Sequence, residues 1–176
     1  DFTGALHDLV ARTFREHGRI LFNGNNYSEE WAEEAERRGL LNLRTCADAL
    51  PRFADKKNIE LFERMGVFTA REVHSRMEIM LENYSKVLTI EGLTMIEMAK
   101  KDIYPAVNAY LSDLCAAAYR KAEMGAPVNA DKAAIARLSE DNEGLYFAAE
   151  EVEKLLAAAK EAGDAEQTAR FFADNV

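Results

Sequence analysis

Apolar residues recur at three- and four-residue steps along nearly the whole chain, with charged residues between them, which is the period of helices packed on one side. Leu6, Leu9, Val10 and Phe14 form the first such stripe, in a helix from Thr3, its predicted cap, to Gly18, its stop. "RILFNG" (19–24) then forms a short apolar run, either extended or tucked against a neighbour, before the turn-rich "NGNN". Ser28 is placed to cap "EEWAEEAERR", where acids open the helix and arginines close it in keeping with the helix dipole; Gly39 follows at the stop. Thr45 opens a short turn, "CADAL", that Pro51 closes. A further short helix starts at Asp55 or Lys56, turns Ile59, Leu61 and Phe62 inward, and ends at Gly66.

Thr69 with Glu72 three positions on is a capping box, and Phe68 just before it can staple to Val73. From there the helical period persists to about Met124 through Val73, Met77, Met80, Leu81, Tyr84, Val87 and Leu88, then Leu93, Ile96, Ala99, Ile103, Val107, Tyr110, Leu111 and Leu114. At ~1.5 Å per residue an unbroken helix would reach ~80 Å. Two interruptions are expected: at "LTIEG", where β-branched residues and a glycine weaken the helix, and near Ile103–Tyr104, where Pro105 removes a backbone donor. "GAPVN" (125–129) is the clearest loop, and Asn129 or Asp131 can cap the amphipathic helix spanning Lys132 to Ala162. That helix is expected to fold back antiparallel on the long one. Gly163 and Asp164 break and re-cap the chain before a last helix carrying Phe171 and Phe172.

The resulting expectation is an all-α helical bundle built around a long antiparallel helical hairpin. Residues 1–68 supply short helices and connectors; residues 69–176 supply the hairpin and final helix, within one continuous domain. The chain starts at Asp1 rather than Met, and Phe171 and Phe172 stand near an end with no stop signal. Both lead to the expectation that the natural polypeptide is longer.

Composition supports helices: alanine, leucine, glutamate, lysine and arginine dominate, with 3 prolines and 9 glycines in 176 residues. The formal net charge of −9 and the lack of any basic cluster argue against a nucleic-acid partner. No run approaches the ~20 apolar residues that span a bilayer, and no signal peptide is visible. Cys46 and Cys115 make neither a disulfide framework nor a CxxC pair, and are expected to be reduced and partly buried in a cytoplasmic protein.

One stretch tests for chemistry. His74, Glu78 and Glu82 stand at i, i+4 and i+8, so they share a helix face and invite a metal reading. Zinc needs three or four close ligands, and a di-carboxylate bundle site shows Glu-x-x-His on two helices; that motif occurs nowhere in the chain. His74 is better read as pairing with Arg76, Glu72 and Glu78 on a polar face. His7 and His17 have no partner nucleophile, "NGNN" lacks the spacing and lysine of a phosphate loop, and Trp31 with Tyr27 reads as a packing anchor. No catalytic, cofactor-binding or metal residue is assigned. The apolar seam is Val73, Met77, Met80, Leu81 and Tyr84; Arg71, Glu72, Arg76, Glu78 and Glu82 form the polar or interface side. Burying each large seam residue contributes ~1.5–3 kcal/mol, enough to hold helices together without a ligand.

Two blocks carry a resemblance. "RILFNGNNYSEEWAEEAERRGLLNLRTCADALPRF" (19–53) and "ELFERMGVFTAREVHSRMEIMLENYSKVLTIEGLTMIEMAKKDIYPAV" (60–107) resemble, in word order and spacing, the end of type III glutamine synthetases. The likeness is strong from Leu6 to about Tyr110 and looser beyond. Met77 stands where that family usually has tyrosine, and Gly92 where it usually has alanine. The resemblance implies a parent enzyme of glutamine biosynthesis that ligates ammonia to glutamate through a γ-glutamyl phosphate, using ATP and Mg²⁺ or Mn²⁺, in large double-ring oligomers. It places the reaction on an upstream barrel-like domain, so no catalytic residue carries over to this numbering. The chain itself is then a non-catalytic C-terminal helical portion, with the rest of the parent chain and further copies as partners. The alternative is a free-standing helical module that binds a partner helix.

Overall fold

The computed structural model describes all 176 residues, and its ordered elements are helices throughout, with no strand. The elements are α1 (Phe2–His17), a 3₁₀ turn (Gly18–Ile20), α2 (Glu29–Arg37), α3 (Cys46–Phe53), α4 (Lys56–Arg64), α5 (Ala70–Glu97), a π-helical segment (Met98–Ile103), α6 (Tyr104–Glu123), α7 (Asn129–Ala159) and α8 (Ala165–Asn175). The chain forms two compact units, residues 1–44 and 45–176, so α3 and α4 belong with the long helices rather than with the first part.

In the first unit, α1 begins on Asp1, whose carboxylate accepts from the Thr3 backbone N–H, so Thr3 is inside the helix instead of capping it. No residue of α1 is buried, and Leu6, Leu9, Val10 and Phe14 are all exposed. The short apolar run after it is neither strand nor tail. Phe22 stacks on Trp31 with ring centroids 4.7 Å apart, and Arg38 donates to the Leu21 carbonyl at 2.6 Å. Trp31 is therefore the anchor; Tyr27 is fully exposed and takes no part. Ser28 precedes α2, but its hydroxyl donates back to the Asn25 carbonyl at 2.7 Å instead of capping the helix.

The second unit is organised on α5. The capping box forms as the sequence indicates: Glu72 accepts from the Thr69 N–H at 2.7 Å while the Thr69 hydroxyl accepts from the Glu72 N–H at 3.4 Å. Upstream, Gly66 closes α4 at φ 64°, a left-handed conformation that glycine reaches without steric cost. Beyond the box α5 runs unbroken through "LTIEG", against expectation. Gly92 is buried there, and a Cβ on it would lie 3.0 Å from Leu156 Cδ1. The missing side chain is what lets α7 approach, and that packing outweighs the weak local helix propensity.

Pro105 acts differently from the predicted kink. Its ring would collide with the carbonyl four residues back. The preceding turn widens instead into π geometry, with the Tyr104 N–H reaching the Ala99 carbonyl, and helix resumes as α6. α7 lies along this composite helix. Lys121 pairs with Asp131 at 2.8 Å, Asn142 donates to the Tyr104 carbonyl at 3.3 Å, and Lys100 reaches Glu150 at 2.6 Å. Residue number falls on one side as it rises on the other, the order of antiparallel neighbours. α7 itself starts at Asn129, with Val128 in the cap position and no side-chain cap.

Two clusters make the core. Ala47 of α3, Leu81 of α5 and Ala169 of α8 meet in one, flanked by Leu50, Met77 and Tyr84. Leu156 and Ala159 of α7 meet Phe172 of α8 in the other, flanked by Tyr84, Leu88 and Ile96. Met80, expected in the seam, and Leu61, expected to turn inward, are both exposed. Both cysteines are exposed as well. Cys115 sits one position off the inward line of half-buried Leu111 and Leu114 and buried Ala118, so it faces outward.

Candidate functional site

Most polar side chains of the second unit bond within their own helix or its cap, but Asp48–Arg170, Lys100–Glu150, Lys100–Glu153, Lys121–Asp131 and Asn108–Asn142 join one helix to another. Pro51 lies inside α3, where the sequence suggests a stop. Lacking an N–H, it leaves the Ala47 carbonyl without its helical donor. Arg170 of α8 supplies one: Nη2 donates to Ala47 O at 3.1 Å, and Nη1 donates to the Asp48 carboxylate. Thr45 caps α3 by accepting from the Asp48 N–H at 3.1 Å. One guanidinium thus mends the break in α3 and ties it to α8, 122 residues away.

The Arg170 guanidinium, followed by the Thr45 hydroxyl, holds the Asp48 carboxyl below its ordinary 3.8. A depressed folded value means that the stabilisation is present above the unfolded value and is lost as pH falls through the folded one. An Asp48→Asn variant should therefore melt below the wild-type chain near neutral pH. The two melting temperatures should converge as pH drops below 3.8, measured by circular dichroism across an acid series.

A second knot lies where the π segment passes α7. Lys100 Nζ donates to Glu150 at 2.6 Å and to Glu153 at 2.7 Å, and stands 5.5 Å above the Tyr146 ring. The two carboxylates push the lysine above its ordinary value, and the lysine holds Glu150 below its own. Next to it Asn142, 4% exposed, donates through Nδ2 to Asn108 Oδ1 at 3.2 Å, while its own Oδ1 has no partner.

The residues singled out by sequence lie elsewhere. His74, Glu78 and Glu82 are exposed on α5; Glu82 pairs with Lys86 at 3.2 Å. Glu72 is committed to its cap and Arg76 stands 4.5 Å over the Phe68 ring. Nowhere do three or more histidine, cysteine, aspartate or glutamate side chains converge as a cation would need. The cross-helix pairs Asp48–Arg170 and Asn108–Asn142 left no mark in the sequence, because nothing local records a partner 122 or 34 residues away. For Lys100 a faint signal existed: Glu150 and Glu153, three apart on one face of α7.

What this arrangement defines is an all-α domain in which Asp48–Arg170, Lys100–Glu150 and Lys121–Asp131 tie helix to helix. Residues 5–122 match the family model for the glutamine synthetase C-terminal domain, and the chain belongs to that family. It is 48% identical over 109 residues to a glutamine synthetase of Butyrivibrio fibrisolvens, a match covering 62% of this chain and 16% of that protein. It is 34% identical over 110 residues to the type-3 glutamine synthetase of Dictyostelium discoideum, covering 62% and 15% respectively. A glutamine synthetase of Bacteroides fragilis is 34% identical over 100 residues, 54% of this chain and 14% of that one. The matched segment is thus a small part of each relative. α7 and α8 lie outside the residues that the family model covers.

Proposed function

We propose that this chain is the helical brace of a type III glutamine synthetase, one that contributes packing and assembly contacts and performs no chemistry itself. The parent reaction would be ATP-dependent ligation of ammonia to glutamate, with Mg²⁺ or Mn²⁺, carried out in the cytoplasm by other parts of the polypeptide. The observation that carries this reading is the use of the charged side chains: Asp48 with Arg170, Lys100 with Glu150 and Glu153, and Lys121 with Asp131 all join one helix to another. The uncovered apolar stripe of α1 fits the same reading, as a surface for the remainder of the synthetase. The lengths of the relatives support the same reading, since those bearing the synthetase name are several times longer than the matched segment.

The test is an activity assay. The purified 176-residue chain, given glutamate, ammonium, ATP and Mg²⁺, should form no glutamine and release no phosphate. Joined to the preceding portion of its polypeptide it should be part of an active enzyme. Glutamine formed by the chain alone would refute the brace.

A further inference from the structure

α5 is apolar on two sides. Its buried side carries Val73, Leu81, Ser85 and Gly92. On the opposite side Ile90 is 64% exposed and Leu93 55% exposed. A helix with apolar residues on both sides has a second surface to cover. Around Ile90 and Leu93 that surface has an ordered charge pattern: Glu82, Lys86, Ile90, Leu93, Glu97, Lys101, spaced four, four, three, four and four residues apart. Residues eleven apart point within ~20° of the same direction after three turns, which pairs Glu82 with Leu93 and Lys86 with Glu97 along the helix. The five residues of α5 span ~80° of its circumference, one face of the helix, and Lys101 continues that face into the π segment. All six are exposed, and the four charges are bonded only within the stripe, Lys86 to Glu82 at 3.2 Å and Lys101 to Glu97 at 2.6 Å.

The spacing reads the same in both directions, and the charges invert on reversal. Laid antiparallel on a copy of itself about a two-fold axis passing between Glu91 and Gly92, the stripe sets Lys86 against the partner's Glu97. The same operation sets Glu82 against the partner's Lys101, and Ile90 against the partner's Leu93. A parallel alignment in the same register would oppose like charges at every position. Self-complementarity of this kind is what an isologous contact requires.

We propose that α5, with the start of the π segment that carries Lys101, pairs antiparallel with the same stretch of a second copy of this chain through this stripe. The proposal rests on the reading that the domain supplies assembly contacts, and names the surface and the partner. From Glu82 to Lys101 the stripe is about 29 Å long. At roughly 10 Å wide it offers about 300 Å² per copy, well short of the ~800 Å² of a standard interface. The contact is therefore weak in isolation and is to be measured at high concentration.

Sedimentation equilibrium of the chain from about 10 µM to about 1 mM should show a reversible dimer. Lys86→Glu places a glutamate opposite the partner's Glu97 in both halves of the dimer, and should weaken association by about tenfold. Adding Glu97→Lys to the same chain re-pairs the charges and should restore association to within about threefold. Circular dichroism of each variant, expected to be unchanged, shows that the helices persist. In a chain whose Cys46 and Cys115 are replaced by serine, Ile90→Cys with Leu93→Cys should give an intermolecular 90-to-93 disulfide on mild oxidation. A chain that stays monomeric throughout, or dimerises with equal strength when Lys86→Glu stands alone, overturns the proposal. Either result leaves the brace reading intact, because that is decided by the activity assay.

Discussion

Replacing Leu81 by alanine should lower the stability of the 45–176 unit by about 3 kcal/mol, the usual scale for truncating a fully enclosed leucine. Leu81 is 1% exposed and is the one large residue in a cluster whose other buried members are Ala47 and Ala169. Alanines allow α3, α5 and α8 to come close, and they leave the filling of the space between them to Leu81. Leu50, Met77 and Tyr84 flank the site and can relax only in part, so both the transfer loss and a residual cavity are felt. The drop should appear as a fall of roughly 10 °C in melting temperature. A fall of only a degree or two would show that the three helices do not meet as described.

Gly92 should give the second large effect, and its sign should depend on size. Gly92→Ala puts a Cβ 3.0 Å from Leu156 Cδ1 and 3.2 Å from Cδ2, which a side-chain terminus can relieve by a small shift. Alanine also gains about 1 kcal/mol of helix propensity over glycine. The net change should be near zero. Gly92→Leu cannot be relieved in that way. It has to drive α5 and α7 apart, with an expected loss of about 3 kcal/mol. Thermal melts of the two variants side by side check this: a leucine variant as stable as the alanine one would mean that α7 does not press on α5 at this point.

Much of the second unit could be read from sequence because its signals are local. Thr69 and Glu72 satisfy each other's backbone three residues apart, Asp164 caps α8 together with Gln167, and the period of Val73, Met77, Leu81, Tyr84 and Leu88 marks the buried side of α5. Errors arose where a distant partner overrode a local rule. Pro51 reads as a stop because the chain by itself cannot replace a lost donor, but Arg170 replaces it. Gly92 reads as a weak point, yet packing makes it a contact point. Tyr27 reads as an anchor by its neighbour Trp31, although only the indole finds a ring to stack on. The stripe of α1 marks a helix, as the structure has it, but amphipathicity says only that a face wants cover and not what covers it. The candidate triad His74, Glu78, Glu82 was legible as one face, and spacing alone could not show what else would approach it.

The π segment between α5 and α6 has a consequence for how this helix can vary. One loosened turn absorbs an extra residue, so the side of α6 that meets α7 is set independently of the side of α5 that meets α8. A single residue gained or lost at Met98–Ile103 would be taken up there as a change of winding, whereas the same change inside α5 would rotate everything beyond it by ~100°. The joint acts as a phase coupling: it lets two stretches of one rod keep separate partners.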